Sequence, residues 1–307
     1  MASSADIGLS DLRAFVAVAQ NRSFRGAADA LGVSRSALSH SLRVLEQRLG
    51  VRLLHRTTRS VAPTESGAEL LRRLAPMLRE LGDVLEAVSH GPEELVGTLR
   101  INANEGGARW LLRHAVPVFH QRHPRIMLDL VTEGRLIDIV AEGFDAGVRL
   151  MEAVPQDMVA VPFGGATRFV AVASPGYVAQ HGSPAVPEDL KRHRCIRQRL
   201  PSGKLYRWEF SKAGQEIAID VPGALSLDNS RLMVEAAVAG LGIAFVPQPF
   251  VQEALANGDL QMLLDDWSPP IQGLCLYYAG HRNVPEQLKS FIAIVREQQA
   301  AANGRQA

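Results

Sequence analysis

Cysteine is scarce in this sequence: two thiols, Cys195 and Cys275, stand among 307 residues. That excludes a disulfide-stapled scaffold and fits a reducing compartment, the cytoplasm. Both sit in apolar, strand-like surroundings, unlike the exposed, low-pKa thiolate that a redox switch needs. Long apolar runs are lacking too. The longest, around Ala236 to Val246, is broken by glycines and falls short of the ~20 residues of a membrane span, so no membrane partner is expected. The opening, MASSADIG, has no basic stretch leading into an apolar one, and no secretory leader is expected. Catalytic signatures are missing as well. The nine histidines show no metal-ligating spacing, and neither a Gly-x-Ser-x-Gly elbow nor a phosphate loop occurs. The G-x-G of VAGLGIAFV lacks a third glycine and an acidic partner. The sequence therefore predicts no metal, no cofactor and no enzyme.

A further absence is local. Between Asp11 and Ala62 there is no lysine, and three acids (Asp11, Asp29, Glu46) face nine arginines. That is a balance of +6 in a chain whose net charge is +1. Basic charge concentrated in one sixth of a chain is the electrostatic footprint of a nucleic-acid-binding module. The length leaves room for two or three domains.

Within that segment, SFRGAADALGVSRSALSHSLRVLEQRL (Ser23 to Leu49) reads as a short helix, a tight turn and a longer helix. Ser23 N-caps the first, and Phe24, Ala27, Ala28 and Leu31 follow at helical spacing. Gly32 ends it, where a positive φ costs least. Ser34 caps the second helix, whose inward stripe is Leu38, Leu42, Leu45 and Leu49. Its outward residues Arg35, Ser36, Ser39, His40 and Arg43 include no carboxylate, as a helix laid in a DNA major groove requires. A helix over Leu9 to Gln20 is expected beneath this pair. VRLLHRTTRSVAP, from Val51, reads as a two-stranded wing that presents Arg56 and Arg59 to phosphates or the minor groove. Double-stranded DNA is the predicted partner, and the predicted contact set is Ser23, Ser34, Arg35, Ser36, Ser39, His40, Arg43, Arg56 and Arg59.

Thr64 opens a linker helix in which Leu71, Leu74, Leu78, Leu81, Leu85 and Val88 recur at alternating intervals of three and four. With charged flanks, that is the seam of a two-stranded coiled coil and predicts a homodimer through this helix. Pro76 should kink it or leave the Arg72 carbonyl without its partner. GPEE (Gly91 to Glu94) reads as a hinge.

Asp11 to Leu71 as a whole resembles the N-terminal winged helix-turn-helix of LysR-type transcriptional regulators. The likeness includes the ALGVS turn, the RVLEQRLGVRLL exit and the TESG approach to the linker. Arg35 stands where glutamine is frequent in that family, and His40 where arginine or glutamine is frequent, which bears on the target sequence rather than on DNA binding. The phrases EGFDAGVRL, VAVASPGYVAQHG and LYRWEF look most like the CrgA-like branch. The resemblance implies a winged helix-turn-helix domain (1–63), a linker and dimerisation helix (64–91) and an effector-binding domain (92–307) of two α/β lobes like those of periplasmic solute-binding proteins. It implies assembly as a dimer of dimers, a homotetramer.

After residue 94, short apolar strands (GTLRINAN, IMLDLVTEG, DAGVRL) alternate with helical stretches, Trp110 to Arg122 and Leu136 to Glu142. That alternation predicts a parallel sheet. A second set runs RFVAVAS, CIRQR, WEF, EIAID, LSL, a helix from Asn229 to Ala239, GIAFVP and LCLYYA, with a closing helix from Pro285 to Gln299. Ligands of open α/β sheets bind beyond the carboxyl ends of strands. That rule, which the family's cleft shares, selects Asn104, Glu105, Gly106, Glu133, Arg149, Arg197, Gln198, Asp228, Asn229 and Pro247 for an effector of unknown identity. Arg149 and Arg197 suit a carboxylate, or else a bridge to Asp145, Glu152 or another acid. The basic run LKRHRCIRQR fits a solvated loop or an anionic effector better than a second DNA surface. The expected function is effector-controlled, sequence-specific transcriptional regulation. The alternative is a constitutive DNA-binding architectural protein with a vestigial cleft.

Overall fold

The computed structural model describes residues 7–56, 61–90, 95–280 and 284–304, with the backbone alone at 79, 80, 83, 84, 86–90 and 303. The first unit packs α1 (Leu9–Asn21), α2 (Phe24–Leu31) and α3 (Arg35–Leu49) around Phe15, Val18, Ala27, Leu38, Leu42 and Leu45. The caps are those the sequence marks. Ser23 accepts from the Gly26 amide, Ser34 from the Ala37 amide, and Gly32 closes α2 at φ +64°. Leu49 departs from the expected stripe. It is exposed, because α3 ends there and Gly50 turns the chain away. The wing is β1 (Leu54–Arg56) antiparallel to β2 (Val61–Pro63); Arg59 lies outside the described residues.

Thr64 caps α4 (Glu65–His90), its hydroxyl accepting from the Gly67 amide and donating to the Arg52 carbonyl. The leucine stripe divides along this helix. Leu71, Leu74 and Leu78 pack on the core of the first unit, whereas Leu81 and Leu85 are exposed. The helix continues through Pro76. The Gly91 to Glu94 hinge lies outside the described residues.

The remaining chain builds two lobes. The first holds β3 (Gly97–Ala103), α5 (Glu105–His114), α6 (Val116–Arg122), β4 (Ile126–Thr132), β5 (Ala146–Leu150) and β6 (Met158–Phe163). The second holds β7 (Phe169–Ala173), α7 (Pro175–His181), β8 (Cys195–Gln198), β9 (Trp208–Lys212), β10 (Gln215–Ile219), β11 (Leu225–Leu227), α8 (Ser230–Val238), β12 (Ile243–Pro247), α9 (Gln252–Ala256) and β13 (Gln261–Leu263). The chain then returns to the first lobe with β14 (Leu274–Ala279) and α10 (Glu286–Asn303).

Four expectations change here. LCLYYA is β14, inside the first sheet rather than the second set, and orders it β4-β3-β5-β14-β6. The sheets are mixed: β14 runs antiparallel to β5 and β6, and β7 to β12 and β13, because each lobe receives a strand from a crossing of the chain. Trp110 to Arg122 is two helices broken at Ala115, where Pro117 begins a new first turn. Residues 136–142 form turns, not a helix: Asp138 Oδ1 takes the Val140 and Ala141 amides, and Gly143 at φ +78° stops the chain after one turn.

The two crossings, 164–168 and 264–273, pair with each other through reciprocal hydrogen bonds between Thr167 and Ile271. Gly273 approaches so closely that a Cβ on it would stand 1.8 Å from the Gly165 carbonyl oxygen.

Candidate nucleic-acid interface and ligand cleft

Helix α3 lies with Leu38, Leu42 and Leu45 inward, which turns Arg35, Ser36, His40 and Arg43 to solvent and leaves Ser39 half-buried. Among the described residues, none of these outward side chains is paired with a carboxylate. Ser23 and Ser34 spend their oxygens on caps, so they fix the two helix starts. Arg25 and Arg52, exposed on the same unit, join the basic surface; the charge count marks them, although no motif does. Arg56 is a strut. Its guanidinium meets Glu46 Oε2 at 2.6 Å and lies over the Phe24 ring. The other Glu46 oxygen receives the Leu53 and Leu54 amides, so one carboxylate ties the wing to α3.

Where α1 and α4 face the first lobe, Arg13, Val16, Gln20, Leu31, Leu78 and Arg100 line a groove of about 250 Å³. Arg100 belongs to β3. It is held by Asp129 at 2.8 Å, by the Gly143 carbonyl and by the Phe144 ring, and its amide donates to Asp145.

Between the lobes, the predicted loops converge. Asn104 caps α5 through the Gly107 amide. Glu105 Oε2 accepts from Asn229 Nδ2 at 2.9 Å, a hydrogen bond that spans the cleft, while Asn229 Oδ1 caps α8. Gly106 faces Phe250, and Arg109 lies over the same ring at 5.1 Å. Burial, then the neighbouring charges of Arg231 and Arg113, lowers the Arg109 pKa. Gln198 and Pro247 are half-buried at the ends of β8 and β12, and Asp228 is exposed. Arg197 resolves to the duller option, an ion pair with Asp220 at 2.6 Å. Glu133 pairs with Arg135.

Arg149 has neither predicted partner. Asp145 is engaged with Arg100, and Arg149 instead lies buried in lobe one, bonded to the Val148 carbonyl (2.7 Å), Asn102 Oδ1 (2.6 Å) and the Arg135 carbonyl. Asn102 escaped the sequence reading because a single asparagine within a strand carries no spacing signal. Burial raises the pKa of Cys195 to about 12 and also raises that of Cys275. Among the described residues no cluster of His, Cys, Asp or Glu suits a metal ion, and no helix is long and apolar enough to cross a membrane.

Comparison with known proteins matches both units. The profile described as "Bacterial regulatory helix-turn-helix protein, lysR family" matches residues 9–68, and "LysR substrate binding domain" matches residues 92–300. The chain is 40% identical over 299 residues to the uncharacterized HTH-type transcriptional regulator YcaN of Escherichia coli (strain K12), covering 97% of this chain and 98% of that protein. It is 38% identical to the HTH-type transcriptional regulator PgrR of the same organism, covering 92% and 95%. The solved structure of CrgA, a LysR-type transcriptional regulator from Neisseria meningitidis, superposes with a TM-score of 0.58 at 28% identity over 95% of this chain and 99% of that one.

Proposed function

The chain belongs to the LysR family of transcriptional regulators, with a DNA-binding helix-turn-helix and an effector-binding domain, and from that premise we propose how it works. It acts in the cytoplasm as a binder of DNA rather than as an enzyme. Residues 1–63 read the operator, 64–91 join two copies, and 92–307 hold a small molecule. Arg35, Ser36, Ser39, His40 and Arg43 face the major groove, and Arg59 reaches the backbone from the wing, with Ser23, Ser34 and Arg56 setting their positions. Leu81 and Leu85, exposed on α4, supply the dimer seam. A second exposed apolar set on the lobes (Leu112, Met127, Leu232, Val238 and Leu241) provides the contact between dimers.

The observation that carries the reading is the hydrogen bond that joins the lobes, Glu105 to Asn229. Both residues begin helices at the mouth of the cleft, so a ligand there competes with the bridge and changes the spacing of the lobes. Regulation is then a population shift, limited by the ligand's differential affinity for the two spacings. The test is to map bound DNA genome-wide with the purified protein. Sharp sites of dyad symmetry are expected, with occupancy that changes when metabolite extract is added. Broad, sequence-indifferent occupancy overturns specific regulation in favour of an architectural role.

A further inference from the structure

Three polar side chains gather on one face of the first sheet, opposite the face that α5 and α10 cover. Asn102 on β3 and Tyr277 on β14 each stand in register with Gly147 on β5, and Arg149 follows two residues along the same face. Gly147 admits the phenol, since a Cβ there would stand 2.6 Å from the Tyr277 hydroxyl oxygen. Asn102 and Tyr277 are fully buried and Arg149 is 5% exposed. The acceptors of Arg149 are three backbone carbonyls, of Asn102, Arg135 and Val148, and the Asn102 amide oxygen, none of them a carboxylate. Glu133, the acid that acts on it through space, is paired with Arg135. Among the described residues, Arg149 Nε, Asn102 Nδ2 and the Tyr277 hydroxyl find no acceptor.

A buried guanidinium without an opposite charge is costly. Its own Nε and two orphaned donors beside it, Asn102 Nδ2 and the Tyr277 hydroxyl, call for one acceptor-rich group. Burial raises the pKa of Tyr277, so the phenol stays a donor. We infer that the buried Asn102–Arg149–Tyr277 cluster binds the carboxylate end of the effector, a use that rests on the reading of the lobes as a small-molecule receptor. One guanidinium matches one negative charge, which selects a carboxylate over a phosphate dianion. On β3 the cluster lies two residues before Asn104 and three before Glu105, whose side chain reaches the second lobe. Its cover is the turn segment before β5, whose Ile139 and Phe144 pack with Tyr277.

The full-length protein is titrated calorimetrically with acetate, benzoate and succinate, each beside its amide, and with inorganic phosphate. A carboxylate is expected to bind where its amide does not. Tyr277→Phe deletes an unpaired hydroxyl and should keep the melting temperature while weakening that binding about tenfold, the worth of one hydrogen bond to a charged group. Asn102→Asp keeps the shape and supplies the missing counter-charge. It should melt above wild type and bind no carboxylate. An Asn102→Asp protein that melts lower overturns the inference, whether or not any of these carboxylates binds wild type. So do equal binding of acid and amide, preference for phosphate, or unchanged binding in Tyr277→Phe. A neutral compound that alters DNA affinity independently of Tyr277 removes the anion site and keeps cleft regulation. Tyr277-dependent binding that leaves DNA affinity unchanged keeps the site and removes its regulatory use.

Discussion

Gly67 sits where α4 passes the root of the wing, and a Cβ there would stand 1.9 Å from the Leu53 carbonyl oxygen. That oxygen is backbone, already bonded to the Thr64 amide, and cannot move aside without opening the joint. Gly67→Ala should therefore destabilise the head by about 1–3 kcal/mol, the usual range for overpacking, as read by denaturant unfolding of the full chain. Glu46→Ala should cost about as much, because it leaves the Leu53 and Leu54 amides unpaired and frees Arg56. Two histidines carry a pH dependence. Burial, then the charge of Arg122, lowers the pKa of His123, and burial, then His181, lowers that of His193. As pH falls through the range where a free imidazole titrates, about pH 6–7, the unfolded chain gains protons before the folded one does. Their stabilisation is thus full above that range and lost below it. The melting temperature should fall from pH 7.5 to 5.5, and less so in His123→Asn and His193→Asn. Local chemistry of this kind was legible where one residue type does one job, as in the serine caps and Gly32. Glu46, whose partners lie seven to ten positions away, gave no such sign.

At the scale of elements, periodicity identified helices well and their surroundings poorly. The α4 leucines follow one heptad pattern, yet Leu71, Leu74 and Leu78 seal the core of the head while Leu81 and Leu85 are exposed, and the Val88 side chain lies outside the described residues. Spacing alone cannot separate those roles, since both want apolar residues on one stripe. The two halves should separate by mutation. Leu81→Asp with Leu85→Asp is expected to shift the sedimenting mass toward monomer while the melting temperature of the head holds. Leu74→Asp should unfold the head instead. Residues 136–142 misled the reading for a related reason: Leu136, Ile137, Ile139 and Val140 have helix-like spacing, but Asp138 binds its own downstream amides and Gly143 ends the turn. That same segment ends at the carbonyl and ring that hold Arg100 beside the groove under α1.

For the molecule as a whole, the meeting of the loops of Glu105 and Asn229 between the lobes was legible because both follow strand ends, whereas the membership of β14 was not. A strand's sheet depends on where the chain has travelled, which no local pattern records. The Glu105 to Asn229 bridge gives the cleft its own test. Glu105→Ala should widen the lobe spacing in small-angle scattering and alter DNA affinity without added ligand, and an unchanged profile would count against the bridge as a control point. The double crossing at Thr167 and Ile271 also sets an order of assembly. The second lobe is an uninterrupted insertion within the first, so it can complete its core while the ribosome is still at work. The first lobe must wait for β14 and α10, which follow the second lobe in the chain. Until they arrive, β5 and β6 expose edges that only the final strand can cover. The interval in which this protein is most open to aggregation therefore lasts until β14 has been made.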